Sequence, residues 1–170
     1  MVPAGRLAGL REGAGQRKGS MERETARASE GGIGLSEPVS LTLPSSAEYV
    51  LLARLVVGQV GRLAGFEPED VYDLKLAVTE AVTNVIRHAA VESYEVEYRV
   101  LPWTVEVTVT DAGGGFSVAD LTGERDEHGG FGLTVIRNLV DELVLDSTKA
   151  GGTRLKIIRH ARASPKDPKG

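Results

Sequence analysis

Hydrophobic and polar positions repeat with two different periods along the chain, and the changes of period predict the secondary structure. Alternation and short apolar runs predict strands over residues 39–43, 93–101, 104–110, 143–146 and 153–159. Helical periodicity and start signals predict helices over residues 45–63, 67–88 and 132–141. Paired strands with helices segregated beside them predict an α+β fold, a two-layer sandwich.

The first two predicted helices carry recognisable start signals. Ser45 followed by Glu48 forms a capping box, which predicts that Ser45 caps the first helix. The second helix opens at Glu67-Pro68-Glu69-Asp70, where proline fits the first turn and the acids favour the positive end of the helix dipole. Its core face spans an arc of about 80° and comprises Val71, Leu74, Val78, Val82 and Val85.

Composition divides the chain into a folded middle and two polar ends. Residues 1–35 are rich in Gly, Arg, Ser and Ala without aromatic residues, which predicts a disordered extension. Residues 161–170 are predicted to be a disordered tail, so residues 36–160 form the domain. Because Met21 lies within the first stretch, the sequence leaves open whether the chain starts at Met1 or Met21.

The charge is concentrated in the predicted domain. The whole chain has a net charge of −4. Residues 1–35 hold six basic and four acidic groups, and residues 161–170 hold three basic groups and one acidic group. Each end therefore carries +2, and residues 36–160 carry −8. This argues against direct nucleic-acid binding, which needs basic surface. It fits a partner with a basic surface, although a solvated acidic face also explains it.

The sequence also argues against several cellular settings. It contains no cysteine, and its longest apolar run is far shorter than a membrane span. The first residues lack the apolar middle of a secretory signal. We therefore expect a cytoplasmic protein that does not bind a membrane.

The first of three chemically suggestive motifs lies on the second predicted helix. Glu80-Ala-Val-Thr-Asn84-Val-Ile-Arg-His88 places Glu80, Asn84 and His88 in one stripe, with Arg87 beside it. A solvated polar face would explain the stripe by itself. However, Asn84 is a mediocre helix former placed in mid-helix. Its amide oxygen suits a hard divalent cation, and a carboxylate one turn away can take a proton from a hydroxyl or water.

The second and third motifs are glycine-rich. Asp111-Ala-Gly113-Gly-Gly115-Phe follows a strand of alternating valines, and Asp111 can accept a hydrogen bond from an exocyclic amine such as that of adenine. Its glycines allow close backbone approach and positive φ. Gly129-Gly-Phe-Gly132-Leu opens directly into a helix, where backbone N–H groups suit phosphate. An ordinary turn or loop would explain either motif alone.

Other nucleotide sites and enzyme classes lack their signatures in this sequence. There is no Gly-x-x-x-x-Gly-Lys-Ser/Thr loop and no Gly-x-Ser-x-Gly elbow. The glycines after Asp111 precede a long loop, whereas a Rossmann fingerprint opens a helix. The three histidines, His88, His128 and His160, do not have the spacing of metal ligands.

In their order, the three motifs resemble the N, G1 and G2 boxes of the GHKL, or Bergerat-fold, ATPases. Within that group, the first motif is similar to the anti-sigma factor serine/threonine kinases of bacteria. The resemblance covers roughly residues 38–160. It implies a mixed, mostly antiparallel sheet with helices on one face, and ATP and Mg²⁺ as cofactors. No phosphoacceptor-histidine helix is recognisable before Val39, which counts against a complete histidine kinase.

The resemblance also implies a role for each matching residue. Glu80 would be the catalytic general base, and Asn84 would hold Mg²⁺ at the phosphates. Asp111 would bind the adenine amino group. Residues 116–129 would be the ATP lid. The remaining cofactor-binding positions are Arg87, His88, Gly113, Gly115, Gly130, Phe131, Gly132, Leu133 and Thr153.

The implied function is a serine/threonine kinase that phosphorylates an anti-anti-sigma (STAS-domain) protein and sequesters a sigma factor, with a homodimer as the default state. Two alternatives stay open. The domain could bind ATP and sequester a partner without phosphorylating it, or it could transfer phosphate together with a separate histidine protein. Glu80 and Asn84 favour the first function, because a pure binding module needs neither.

Overall fold

The strands and helices follow one another along the chain in the predicted order. The computed structural model describes residues 32–115, 132–148 and 151–162. The elements are β1 (Val39–Pro44), a 3-10 turn (Ala47–Tyr49), α1 (Val50–Leu63), α2 (Pro68–His88), β2 (Ser93–Leu101), β3 (Thr104–Asp111), α3 (Gly132–Leu139), β4 (Glu142–Thr148) and β5 (Gly152–His160). No helix in these described ranges is long and apolar enough to cross a membrane.

The five strands form one sheet in the order β1-β2-β3-β5-β4. All four pairings are antiparallel, whereas the resemblance implied a mixed, mostly antiparallel sheet. Short connections explain part of this difference, because the two-residue turn Pro102-Trp103 can join only antiparallel strands. The predicted α+β class with a two-layer arrangement is confirmed.

The core lies between one face of the sheet and the helices. Val105, Val107 and Val109 alternate along β3 and are fully or almost fully buried. The five residues predicted as the core face of the second helix are all buried on α2. The alternation of valines and the helical period therefore identified the two surfaces that meet in the core.

The predicted capping box is wrong. The N–H of Ser45 donates to the carbonyl oxygen of Glu92 at 2.8 Å, so Ser45 is still tied to the residue that precedes β2. The 3-10 turn then comes before α1, and its N-cap residue is Ser46, which makes no side-chain capping hydrogen bond. The motif fits a helix start locally, but tertiary pairing of the backbone delays the helix by several residues.

The third predicted helix ends earlier than expected. Its pattern predicted helix as far as Asp141, whereas α3 ends at Leu139. The N–H of Asp141 donates to the carbonyl oxygen of Ile158 at 3.0 Å, and the Asp141 carboxylate accepts from the N–H of His160 at 2.7 Å. Pairing with β5 therefore takes this residue out of the helix.

Backbone contacts with the domain begin before the predicted boundary at residue 36. The N–H of Ile33 donates to Leu63 at 2.6 Å, and the N–H of Leu35 donates to Val100 at 2.9 Å. Most of the predicted extension, residues 1–31, and most of the predicted tail, residues 163–170, lie outside the described residues. Their assignment as disordered segments stays a prediction.

A buried ion-pair network joins the start of α2 to the end of β5. Asp70 is 1% exposed and accepts a hydrogen bond from Arg159 at 2.8 Å. The other oxygen of Asp70 accepts from the backbone N–H of Arg162 at 3.0 Å, and the Arg162 side chain also pairs with Asp73. Sequence analysis explained Asp70 only as an acid at the positive end of a helix and missed this buried role.

We predict that Asp70→Asn lowers the free energy of unfolding by about 3 kcal/mol, because Arg159 loses its closest carboxylate in a buried site. Urea denaturation followed by circular dichroism measures the loss. Glu106→Gln is the matched control, since it breaks the partly exposed pair of Glu106 with Lys156 at 2.9 Å and should cost at most about 1 kcal/mol. Equal losses in the two variants would contradict a structural role for the buried network.

Candidate functional site

The last turns of α2 bring the first motif against the third. Asn84 is half-buried on α2, and Gly132 begins α3. A Cβ atom added at Gly132 would lie 3.0 Å from both the oxygen and the nitrogen of the Asn84 amide. Contact this close favours glycine, because any larger residue would push the amide aside. The two motifs therefore form one site although 48 positions separate these residues in the sequence.

The carboxylate of the second motif is buried and only half satisfied. Asp111 ends β3 and is 4% exposed. Its Oδ1 accepts a hydrogen bond from the N–H of Gly113 at 2.8 Å, whereas its Oδ2 is buried without a hydrogen-bond partner among the described residues. A buried polar atom without a partner is costly and uncommon in proteins. Asp111 is thus arranged to accept one further hydrogen bond from a ligand.

A small cavity lies between these two motifs. Three polar side chains reach it, from Asn84, Asp111 and Thr153, and the rest of its wall is apolar. The full lining is Ala81, Asn84, Val85, Val109, Asp111, Leu133, Leu145, Thr153 and Leu155. Apolar walls with a few fixed polar groups are typical of sites for small organic ligands. The cavity is small, with a volume of about 10 Å³, and Asp111 offers a hydrogen-bond acceptor at its wall.

The register of the sheet brings Thr153 to this cavity. Thr153 on β5 is buried and pairs directly with Asp111 on β3, and its hydroxyl lies 3.5 Å from that of Ser147 on β4. The preceding residue, Gly152, has a φ of +77°, and a Cβ there would lie 2.0 Å from the carbonyl oxygen of Asp111. Only glycine fits such a backbone contact.

The glycine turn of the second motif packs on the end of α2. A Cβ added at Gly113 would lie 2.3 Å from the carbonyl oxygen of Ala89. Gly115 has a φ of +75°, a conformation that favours glycine. A Cβ at Gly114, in contrast, would meet nothing within 4 Å. The outer glycines of the motif are therefore structural requirements, and they fix Asp111 relative to the helix that carries Asn84.

Glu80, Arg87 and His88 lie on α2 but are not among the residues that line the cavity. Glu80 is half-buried and lies one turn before Asn84, which is about 6 Å along the helix axis. Arg87 and His88 are exposed in the last turn. These three side chains are therefore placed outside the cavity, on the stripe that continues from Asn84 in both directions.

The structure thus brings together Asn84, Asp111, Leu133 and Thr153 around one cavity, with Gly132 against its rim. The predicted residues Gly130 and Phe131 and the predicted lid, residues 116–129, lie outside the described residues. Sequence analysis missed the apolar wall, which consists of Ala81, Val85, Val109, Leu145 and Leu155. Periodicity marked Val85 and Val109 as interior residues, but it does not distinguish the wall of a cavity from a filled core.

Comparison with known proteins identifies relatives for most of the chain. The family model of the histidine kinase-like ATPase domain matches residues 43–159. The serine-protein kinase RsbW of Staphylococcus aureus is 30% identical over 140 residues, which cover 73% of this chain and 87% of that protein. The serine-protein kinase RsbW of Listeria innocua is 36% identical over 126 residues, which cover 65% of this chain and 80% of that protein.

A solved structure supports the same fold. The RsbU and RsbW domains of a Mycobacterium tuberculosis protein match with a TM-score of 0.56 and 21% identity over 74% of this chain. The match covers 32% of that longer chain, so the likeness concerns the fold of one part of it.

The matched region contains all three motifs and nearly all of the sheet. The resemblance inferred from the motifs, to GHKL ATPases and to the anti-sigma factor kinases among them, is confirmed by the family match and by the two kinase relatives. The chain belongs to the family of histidine kinase-like ATPase domains and, within it, to the RsbW serine-protein kinases.

Proposed function

We propose that this protein is an anti-sigma factor that uses ATP to phosphorylate a serine or threonine of an anti-anti-sigma, STAS-domain protein. One observation carries the proposal. Glu80 lies one helical turn before Asn84, and Asn84 lines the cavity that also contains the half-satisfied carboxylate of Asp111. A proton acceptor, a cation ligand and an adenine acceptor are thus carried by two adjoining elements, α2 and β3.

The adenine of ATP is proposed to bind at the cavity, whose apolar walls would move apart to admit the ring. Its exocyclic amine would donate to Oδ2 of Asp111, the buried oxygen that has no partner among the described residues. The apolar side chains of Val109 and Leu155 would cover the ring, and the Thr153 hydroxyl would lie beside it. This assignment satisfies the one fully buried polar atom of the described cavity wall that has no partner there.

The phosphates are proposed to lie between Asn84 and the start of α3. Gly132 contacts the Asn84 amide and begins α3, whose first N–H groups and dipole favour negative charge. Asn84 supplies one amide oxygen, which fits Mg²⁺, an ion usually held by few protein ligands together with phosphate oxygens and water. When bound, Mg²⁺ would neutralise charge on the transferring phosphoryl group.

The phosphoryl transfer needs a base beside the incoming hydroxyl. The hydroxyl oxygen of the partner's serine or threonine would bond to the γ-phosphorus while the bond from that phosphorus to the β–γ bridging oxygen breaks. The hydroxyl proton would pass to the carboxylate of Glu80, and ADP would carry the negative charge of the leaving group. Glu80 stands outside the adenine cavity and is half-buried on α2.

The proposed protein partners follow from the relatives and from the surface. The relatives are serine-protein kinases by name, and the predicted domain of this chain carries −8, which favours partners with basic surface. Three exposed leucines on one side of α1, Leu51, Leu52 and Leu55, support a protein interface such as that of a homodimer. We place the reaction in the cytoplasm, where sigma factors act.

An affinity experiment with the full chain tests the proposal. The tagged protein is incubated with host lysate and Mg·ATP, and mass spectrometry identifies its partners and any new phosphorylation sites. The proposal predicts a sigma factor together with a small protein newly phosphorylated on serine or threonine. Partners without ATP-dependent phosphorylation would support a sequestering module instead. Phosphorylation on histidine or aspartate would support transfer together with a separate histidine protein.

We predict that Glu80→Gln lowers the rate of phosphoryl transfer by at least about 100-fold, because the amide cannot accept the hydroxyl proton. The affinity for Mg·ATP should stay within about threefold of the parent, since Glu80 does not line the cavity. Single-turnover transfer from labelled ATP and calorimetric titration measure the two quantities. Glu95→Gln, an exposed change on β2, is the control and should alter neither. Undiminished transfer in Glu80→Gln would remove this residue from the role of base.

We predict that Asp111→Asn weakens ATP binding by about 1.4–2.8 kcal/mol, which is roughly 10- to 100-fold in Kd. The asparagine oxygen can still accept from the N–H of Gly113, so the turn should remain folded. Its NH₂ group would then face the adenine amine, donor against donor. Calorimetry measures the Kd, and a thermal melt checks the fold. An unchanged Kd in a folded variant would show that Asp111 does not bind the base.

A further inference from the structure

Two glycines in the interior of α1 face α2, although alanine is the better helix former. Gly61 permits close helix packing, because a Cβ there would lie 3.2 Å from Cγ2 of Val71. Gly58 has a different neighbour. A Cβ there would lie 2.3 Å from Cε of Lys75 and 3.0 Å from its Nζ. Gly58 therefore leaves room for the Lys75 side chain, whose Cε and Nζ lie against it.

Lys75 forms one side of a groove between α1 and α2. The groove has a volume of about 400 Å³ and is lined by Arg62, Phe66, Pro68, Val71, Tyr72 and Lys75. Phe66 and Val71 are largely buried, with a remaining exposed edge, and Tyr72 is 65% exposed. The groove thus has an apolar floor, an aromatic rim and two cationic side chains.

The two cations of the groove are not neutralised by the described part of the chain. Neither Arg62 nor Lys75 has a carboxylate within 4.0 Å there, and Arg62 donates only to the amide oxygen of Gln59, at 2.9 Å. Two acids lie beyond Tyr72. They are Glu69 and Asp73, and both pair with Arg162. A local positive site therefore remains in a predicted domain of net charge −8.

This groove is separate from the nucleotide cavity. Lys75 precedes Asn84 by nine positions on the same helix, which is about 14 Å along the axis. The two sites share no lining residue. A ligand in the groove would therefore leave the proposed ATP site open.

We propose that this groove docks an acidic amphipathic segment of a partner protein. Charge complementarity defines the occupant: carboxylates of the segment pair with Lys75 and Arg62, while an apolar or aromatic side chain covers Phe66 and Val71. Gly58 positions the lysine for this contact. The proposal goes beyond the kinase function, because the groove would dock such a segment whether or not the protein phosphorylates it.

A defined peptide tests the proposal with the full chain. The probe is an acetylated and amidated peptide with a central leucine and phenylalanine flanked by glutamates, and its control carries lysines in place of the glutamates. In ¹⁵N-correlation spectra, the acidic peptide should cause saturable shifts at residues 58–62 and 66–75 with a Kd below about 1 mM. Equal binding of the lysine peptide, saturable shifts confined to other residues, or no saturation at about 1 mM would each overturn the proposal.

Three variants distinguish the loss of a correctly placed charge from general damage to the fold. Lys75→Ala should weaken the acidic peptide by roughly fivefold or more, because a partly desolvated charge pair is lost. Gly58→Ala keeps the charge but displaces the lysine, so it should also weaken binding while the helix becomes no less stable. Lys156→Ala on β5, whose partner is Glu106, is the matched control and should bind as the parent does.

The variants also have outcomes that count against the groove. If Lys75→Ala and Gly58→Ala both bind the acidic peptide as tightly as the parent, the lysine is not the docking cation. If Lys156→Ala weakens binding as much as Lys75→Ala does, the attraction is general and not specific to the groove. Glu80→Gln should bind the peptide normally, so loss of kinase activity and loss of docking are distinguishable.

Discussion

The nucleotide cavity depends on backbone contacts that leave no space for a Cβ atom. Gly113 lies against the carbonyl of Ala89, and Gly152 lies against the carbonyl of Asp111. The first contact holds the turn after β3 on the end of α2, and the second holds β5 beside the same aspartate. Both contacts are made to backbone atoms. A larger residue at either glycine would therefore cause a clash that no side-chain movement can relieve. The positions of Asp111 and Thr153 therefore follow from glycines that do not themselves reach the cavity.

The fold could be predicted from the sequence because its main signals are local. The valines of β3 alternate, and the apolar face of α2 repeats with the helical period, so each element was placed within a few residues. The errors arose where a distant partner overrides a local signal. Ser45 has the sequence of a helix cap but pairs with Glu92, and Asp141 continues a helical pattern but pairs with Ile158. Neither partner is visible in a window of neighbouring residues.

The candidate site could be predicted in its residues but not in its shape. The motifs indicated Asn84 and Asp111, and the family resemblance added Thr153. The structure places these three side chains around one cavity. The sequence could not show that Oδ2 of Asp111 lacks a partner among the described residues, since that depends on which atoms β5 and α2 bring to it. The groove at Lys75 was equally invisible, because it exists only where α1 and α2 pack together. Asp70 illustrates the same limit, since a helix-start acid and a buried ion-pair partner have the same sequence signal.

Two local weaknesses of the structure lie at its proposed binding surfaces. An unsatisfied carboxylate oxygen lies in the cavity at one end of α2, and a helix-interior glycine adjoins the groove at the other. Both features lower stability, because buried polar atoms prefer partners and helices prefer alanine. Between them, the apolar face of α2 and the pairing of Asp70 with Arg159 hold the helix to the sheet. Residues at functional sites are expected to depart from their local preferences, because the rigid structure around them compensates for the cost. On this reasoning α2 is the common support of two separate surfaces, one for a nucleotide and one for an acidic segment of a partner.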